Sequence, residues 1–520
     1  MKMEKIVAAE ELAKDMREIS VAEFFERNKH FLGYENPTKS LVTVVKEAVD
    51  NSLEFCTEAG ILPKIKVKVK QLNENRFKVV VEDNGPGVVP EKVPMAFAKV
   101  LYGSRFHVLK QSRSLFGIGI KGACLYSQLT TGKPIKVTTG IGKGPIHHFE
   151  LMIDVAKNEP KVISHATEEN PKNWHGIKIE MEVEGRYISG GHSILNYLKQ
   201  TAMVNPFATI IFEGPDGKVV FERVTDKLPP KAKEIKPHPH GVELGILRRM
   251  LSATSAKTLL TFLTTEFSRV GKKSALEICK KAKIDANKSP KSLTNEESEK
   301  LYKALQSAKL RAPPTDCLSP LGEELLIEGL KKEVEAEYFV ATTRPPTVYK
   351  GMPFQVECAL AFGGKLPLEN ALIFRFANKV PLFYHQSDCA ITEAIKEVDW
   401  RRYGISQSQG QLPSGPLAIL VHFASVWVPF TSEGKQAIAA YPEILKEIKL
   451  ALQDAGRKLA RYIRKKAKLR ESMLRRQIFE RYLPIVAECV GELTNKKAEE
   501  ILNKLKAMVK SGTDESDREA

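Results

Sequence analysis

Two proline- and lysine-rich stretches, TDKLPPKAKEIKPHPHG at 225–241 and KLRAPPTD at 309–316, cut the chain into three unequal parts. Proline fixes φ and removes a backbone donor, so neither stretch can continue a helix or a central strand. The parts they separate differ in kind. Residues 242–308 read almost wholly as short helices, whereas the segments before and after mix strands with helices. At 520 residues the chain is also too long for one core, and about three domains are expected.

Before the first linker, residues 11–34 are expected to be helical, followed by a helix over 36–55. Ile65, Val67 and Val69 then alternate with lysines, and Phe77, Val79 and Val81 follow across QLNENR. That spacing predicts a strand pair with one solvated face. Further strands are expected near 134–139, 146–154, 175–183, 208–213 and 218–224, with helices near 119–130 and 192–202. The fold class is therefore α+β, with an antiparallel-looking sheet and no regular βα alternation. Residues 317–440 return to mixed structure, 442–505 read as long helices, and SGTDESDREA at 511–520 is expected to be disordered.

Eighty Lys and Arg against 63 Asp and Glu leave a net charge of +17, which favours a polyanionic partner. Eleven basic and two acidic residues lie between Arg457 and Arg481; phosphate contacts or a solvated helical face account for them equally. No apolar run reaches the ~18 residues of a membrane span, and MKMEKIVAAEEL is not a signal peptide. The seven cysteines include no CxxC and read as reduced core residues of an intracellular protein. A cytoplasmic location is expected, or a nuclear one in a eukaryote. His238 and His240 read as a turn, not a metal site.

The helix at 36–55 has Asn36 as N-cap and Pro37 in its first turn. On it Glu47, Asp50, Asn51 and Glu54 fall within an arc of about 100°. A half-exposed helix with a solvated acidic face gives this pattern. So does a helix whose carboxylate and amide, one turn apart, hold a hydrated divalent cation and a reactive water. Next, VVVEDNGPGV at 79–88 runs a buried strand into Asp83, Gly85 and Gly87. Asp-Asn-Gly is an ordinary turn; glycines that admit close backbone approach also let Asp83 read a flat base through its carboxylate. The basic, serine-rich loop within 101–129 closes in Gly117-Ile118-Gly119 before a helix. Free N–H groups at that helix start suit phosphates.

In this order the three elements resemble the GHKL family of ATPases, which includes gyrase, heat-shock chaperones, mismatch-repair proteins and histidine kinases. The resemblance implies a Bergerat fold that binds ATP with Mg²⁺. By it, Glu47 would be the general base for the attacking water, Asn51 the Mg²⁺ ligand, and Asp83, in the turn with Gly85 and Gly87, the partner of the adenine amino group. Ser104, Arg105 and the run Ser114, Leu115, Phe116, Gly117, Ile118, Gly119, Ile120 and Lys121 would form the lid and phosphate cradle.

Longer stretches are similar to the B-subunit family of the type IIB topoisomerase, DNA topoisomerase VI. They include ISVAEFFERNKHFLGYENP at 19–37, KPHPHGVEL at 236–244, GMPFQVECALAFGG at 351–364, RFANKVPLFY at 375–384 and VPFTSEGKQAIA at 428–439. This resemblance implies a GHKL domain with an N-terminal strap at 1–227 and a helix–two-turn–helix domain at 228–310. An α/β transducer at 311–470, a helical segment for partner docking at 471–510 and the tail at 511–520 would follow. Lys435, otherwise readable as a surface lysine, would be the switch lysine that meets the γ-phosphate. Ile19 to Tyr34 would strap two copies together when ATP binds. The implied activity is ATP-driven dimerisation that gates passage of double-stranded DNA, relaxing or decatenating it. A partner A subunit would cleave the DNA within an A2B2 heterotetramer. Arg269, Lys272 and Lys273, in the turn SRVGKK, are candidates for DNA phosphates or for a plain solvated turn.

Four positions depart from the common pattern. Glu54 stands for Asp and Arg105 for Lys, both keeping charge; Ser114 stands for a lid Gly; Ile177 stands for the Thr of an HGT motif. Two rival readings are a GHKL chaperone or repair ATPase and a DNA-binding scaffold without ATP turnover. The helical insert and transducer stretches argue against the first, Glu47 and Lys435 against the second.

Overall fold

A computed structural model describes residues 18–104, 108–114, 117–432, 434–495 and 497–518, and its elements are numbered among these. Helix α1 (Val21–Arg27) starts on Ser20, whose hydroxyl accepts from the Glu23 N–H at 3.1 Å. It stops at Arg27, and a 3-10 turn at Lys29–Leu32 ends on Gly33 with φ +89°. Within 18–34 the expected continuous helix is therefore broken at Asn28, which leaves helical geometry (φ −120°, ψ 43°) while its side-chain amide donates to the Phe24 carbonyl at 2.9 Å. Helix α2 (Pro37–Ala59) begins as expected, with the Asn36 side chain accepting from the Lys39 N–H at 2.9 Å, and ends on Gly60.

The alternation of apolar and polar residues then builds one sheet. Strands β1 (Lys64–Gln71) and β2 (Arg76–Glu82) pair antiparallel. Ile65, Val67 and Val69 face inward while the lysines between them face water. Helices α3 (Val93–Ala98) and α4 (Gly119–Thr131) precede β3 (Ile135–Ile141), β4 (Ile146–Asp154), β5 (Glu159–Glu168) and β6 (His175–Glu184). Helix α5 (Ile194–Met203), β7 (Thr209–Gly214) and β8 (Gly217–Phe221) complete this part. The strand order is β5-β4-β3-β6-β2-β1-β7-β8, and β1 runs parallel to β7, so the sheet is not wholly antiparallel. Strand β5 is one that the sequence does not announce. It is an edge strand with almost no buried face and a proline at 160, so no inward alternation marks it.

Four helices, α6 (Leu244–Ala253), α7 (Leu259–Glu266), α8 (Lys272–Ala282) and α9 (Asn295–Gln306), enclose a separate small core around Leu247, Phe262, Ile278 and Leu301. His238 and His240 sit at a 3-10 turn, their rings paired with the carbonyls of Arg311 and Ala308.

After α10 (Gly322–Glu333) comes a second sheet built from β9 (Tyr338–Thr343), β10 (Thr347–Tyr349), β11 (Met352–Phe362), β12 (Leu372–Ala377) and β13 (Val380–Pro381). Helix α11 (Ala390–Glu397), the short pair β14 (Ser406–Gln407) and β15 (Pro413–Ser414), and the sheet strand β16 (Leu417–Ser425) follow. Strands β11 and β16 are buried on both faces, and a period of two sends their side chains to different cores. Ala359, Ala361, Ala418 and Leu420 join the core of the first sheet. Cys358, Leu360, Ile419 and Val421 face the opposite core with Ile448, Leu452 and Leu459 of α12 (Pro442–Thr494). The two mixed parts thus share packing.

Helix α13 (Ala498–Arg518) runs through most of the stretch expected to be disordered; adding turns to an existing helix costs far less than nucleating one. Six of the seven cysteines are buried, whereas Cys489 on α12 is exposed, unlike the core residue expected there.

Candidate active site

Burial decides between the two readings of the acidic helix. Glu47, Asp50 and Glu54 are 8%, 2% and 4% exposed, and Asn51 is half-buried. A solvated face is excluded, and each buried carboxylate needs partners. For Glu47 they are two ammonium groups. Lys46 Nζ lies 3.4 Å from Oε1 and Lys435 Nζ 3.7 Å from Oε2. Burial pushes the Glu47 carboxyl up, but Lys435 and then Lys46 outweigh it and hold the group below its ordinary range. It is ionised at neutral pH and able to accept a proton. Asp50 differs, since burial raises its pKa over the pull of Lys435 and of Arg113. Its Oδ1 accepts from the Tyr197 hydroxyl at 3.3 Å.

Strand β2 ends at Asp83, which the fold holds on three sides. Oδ2 accepts from the Ser52 hydroxyl at 2.7 Å, and Oδ1 accepts from the N–H groups of Gly85 at 2.9 Å and Ile177 at 3.1 Å. Burial raises its pKa against these hydrogen bonds. The Ile177 contact uses backbone, so the departure from Thr leaves it in place while its side chain lines the cavity. Gly87 has φ +74°, and a Cβ there would meet the Gly140 carbonyl oxygen at 2.0 Å. No other residue lets the turn lie this close to β3.

A cavity of about 380 Å³ opens between these elements. Asn51, Asp83 and Gly87 line one side. Ser104, Ser114, Gly117, Gly119, Ile120 and Lys121 line another. Gly85 and Ile118 stand behind this wall, the first donating to Asp83, the second preceding α4. The α4 N-terminus has no side-chain cap, so its leading N–H groups remain for a ligand. Lys121 Nζ donates back to the Gly117 carbonyl at 2.7 Å. Gly119 abuts the acidic helix so closely that a Cβ would stand 1.9 Å from Glu47 Oε2. Arg105, Leu115 and Phe116 lie outside the described residues.

Lys435, on the loop after β16 with φ +53°, lines a second cavity of about 450 Å³ and reaches Glu47 from that side. Lys46 Nζ supports it by donating to the Gly434 carbonyl at 2.9 Å. Arg269, Lys272 and Lys273 are exposed on the helical insert, apart from both cavities, and Arg269 Nε donates to the Ala312 carbonyl at 3.0 Å.

Sequence reasoning missed Ser52, Lys46 and Arg113. Ser52 follows Asn51 and had a signal in the hydroxyl's position on the helix. Arg113 had none. Its buried guanidinium lies 3.9 Å from Asp50 and donates to the Lys379 carbonyl at 2.7 Å, and its N–H donates to Glu54 at 3.1 Å. The Asn378 amide, next in the same turn, donates to the Ser112 carbonyl at 2.9 Å.

Residues 36–155 match the family model of the histidine kinase-, DNA gyrase B- and HSP90-like ATPases. Fold and site thus define an ATPase-fold protein of the GHKL class. Residues 313–475 match the model of the topoisomerase VI B subunit transducer. The B subunit of type 2 DNA topoisomerase 6 from Methanococcoides burtonii is 48% identical over 491 residues, covering 93% of this chain and 78% of that protein. Its counterpart from Pyrococcus horikoshii is 40% identical over 542 residues, 95% of both chains. The chain belongs to this family, the B subunits of type 2 DNA topoisomerase 6.

Proposed function

We propose that the chain is the ATP-binding and ATP-hydrolysing B subunit of a type IIB DNA topoisomerase. ATP joins two copies, and the closure gates passage of double-stranded DNA through a break made by an A subunit in an A2B2 assembly. The observation that carries this reading is the meeting of Lys435 and Glu47 at 3.7 Å, from two different sheets' surroundings, beside the glycine-started helix.

In this reading adenine lies against Asp83 and the phosphates against Gly117 to Lys121 and the α4 N-terminus. Glu47 takes the proton of the attacking water. Asn51 lines the cavity and has one side-chain oxygen to offer, which fits Mg²⁺, since this ion commonly draws its remaining ligands from phosphates and water. Arg269, Lys272 and Lys273 contact DNA phosphates, and α12 with α13 docks the A subunit. The division at 1–227, 228–310, 311–470 and 471–510 is the corresponding division of labour.

Purified Glu47→Ala protein tests it. It should bind nucleotide and lose phosphate release by roughly 10²–10⁴-fold, the usual worth of a general base. Asn51→Ala should instead weaken Mg·ATP binding. Wild-type hydrolysis in Glu47→Ala removes the base assignment. Active ATPase that supports no ATP-dependent relaxation or decatenation with the A subunit removes the gate.

A further inference from the structure

Both cavities reach the surroundings of Glu47. Gly119 lines the first, and a Cβ on it would stand 1.9 Å from Glu47 Oε2. Lys435 lines the second and brings its Nζ to 3.7 Å from the same oxygen. Along this line one carboxylate and one ammonium stand between the glycine turn and a space of about 450 Å³.

The wall of the second cavity suits a small anion. Arg113 is buried in it, and only 11% of the Lys435 side chain is exposed. Glu35, an acid on the same wall, is already paired with Lys39 Nζ at 2.7 Å. Gln436 is 4% exposed and also lines the cavity, and its buried amide oxygen has no hydrogen-bond partner among the described residues. A leucine would fill that place without the cost of an unpaired amide. An amide donates and accepts, so it matches a ligand that carries both bare oxygens and a hydroxyl. Hydrogenphosphate is such an anion.

We propose that the second cavity binds the inorganic phosphate freed by hydrolysis and lets it out past the exposed Thr431 and Ser432. The inference rests on ATP hydrolysis with Glu47 as base. In that step the water oxygen bonds to the γ-phosphorus and the bond to the bridging oxygen breaks. One water proton passes to Glu47 and later to solvent, and the other stays on the phosphate as P–OH. That transfer alters the local charge. Lys435 faces a neutral carboxyl just as a new anion forms, so its ammonium is drawn to the phosphate. From the loop after β16 it hands that anion from the first cavity to the second, where Arg113 and Gln436 receive it.

Inorganic phosphate titrated onto the whole chain without nucleotide tests the site. Binding should change the fluorescence of Trp427, which lines the cavity and is 37% exposed, and Trp427→Phe should abolish that signal. Gln436→Leu should weaken phosphate binding roughly tenfold, the worth of one hydrogen bond to a charged group, with Tm and affinity for an ATP analogue unchanged. Glu47→Gln, which stands for the protonated base, should bind phosphate more tightly than wild type. Ser432→Trp tests the exit: quenched-flow cleavage should match wild type while free phosphate, read by a phosphate sensor, appears severalfold more slowly. A signal that survives Trp427→Phe, an affinity that Gln436→Leu or Glu47→Gln leaves unaltered, or equally prompt release from Ser432→Trp overturns the proposal. Absence of ATP hydrolysis in the wild type removes the function proposed above instead, and the phosphate titration still decides the site.

Discussion

At the scale of single residues, the site is a balance of charge among buried groups. Glu47 is kept ionised by Lys435 and Lys46 against the cost of burial. If it is the base, the sign of a pH effect follows. The acid limb of kcat/KM reports the free enzyme's base, so it should lie below the ordinary carboxylate range. Removing one ammonium leaves burial opposed by Lys46 alone, and the Glu47 pKa rises. Lys435→Met should therefore move the acid limb to higher pH, whatever it does to the rate at the optimum. A kcat/KM profile from roughly pH 3 to 8, which spans carboxylates shifted down as well as up, checks this. An unmoved limb would mean that Lys435 does not set the charge state of Glu47. The linked stability has the same direction. The stabilisation from this lowered carboxyl is present above its unfolded pKa and lost as pH falls through the folded value.

Elements were legible where one face alone decides their structure. Helix α2, expected over 36–55, spans Pro37–Ala59 because Asn36, Pro37 and the apolar positions agree. Strands β1 and β2 carry their burial in every second residue. Strand β5 does not, since it buries almost nothing, and α1 ends at Asn28, a break that composition alone does not place. The lining of the candidate site was legible for the residues that α2, β2 and the α4 start present locally. Arg113 and Lys46 were not, because each also has a partner on the second sheet's loops, Lys379 for the first and, across 388 positions, Gly434 for the second. The insert remains the least determined element in function. Arg269 is tied to the linker carbonyl of Ala312, whereas Lys272 and Lys273 are exposed in the first turn of α8. If these three meet DNA, neutralising them should weaken binding across sequences and flatten the log–log salt dependence by about 0.9 per lost phosphate contact. Titrations at several salt concentrations measure the slope, and an unchanged one leaves a solvated turn.

The whole molecule joins these parts through packing that no single element contains. One face of the second sheet enters the core of the first. Above that shared core, Arg113 and Asn378 tie the loop before α4 to the β12–β13 turn, and Lys46 and Lys435 tie α2 to the loop after β16. A nucleotide can move this frame only through a contact that differs between its states. The Lys435 ammonium is the contact with two possible partners. It meets the Glu47 carboxylate at 3.7 Å; in the function proposed above, the γ-phosphate of ATP would be its second partner. Trading one for the other would shift the loop after β16 and, through it, α12. A non-hydrolysable ATP analogue should then convert monomer to dimer, and ADP should do so far less. Lys435→Ala should keep adenine recognition by Asp83, lose most of the analogue-driven dimer, and lower turnover in proportion. Nucleotide titration, light scattering and phosphate release on the same preparation separate these quantities. If Lys435→Ala dimerises on the analogue as readily as wild type, the second sheet senses ATP by another route, with the Arg113 and Asn378 contacts the next candidates.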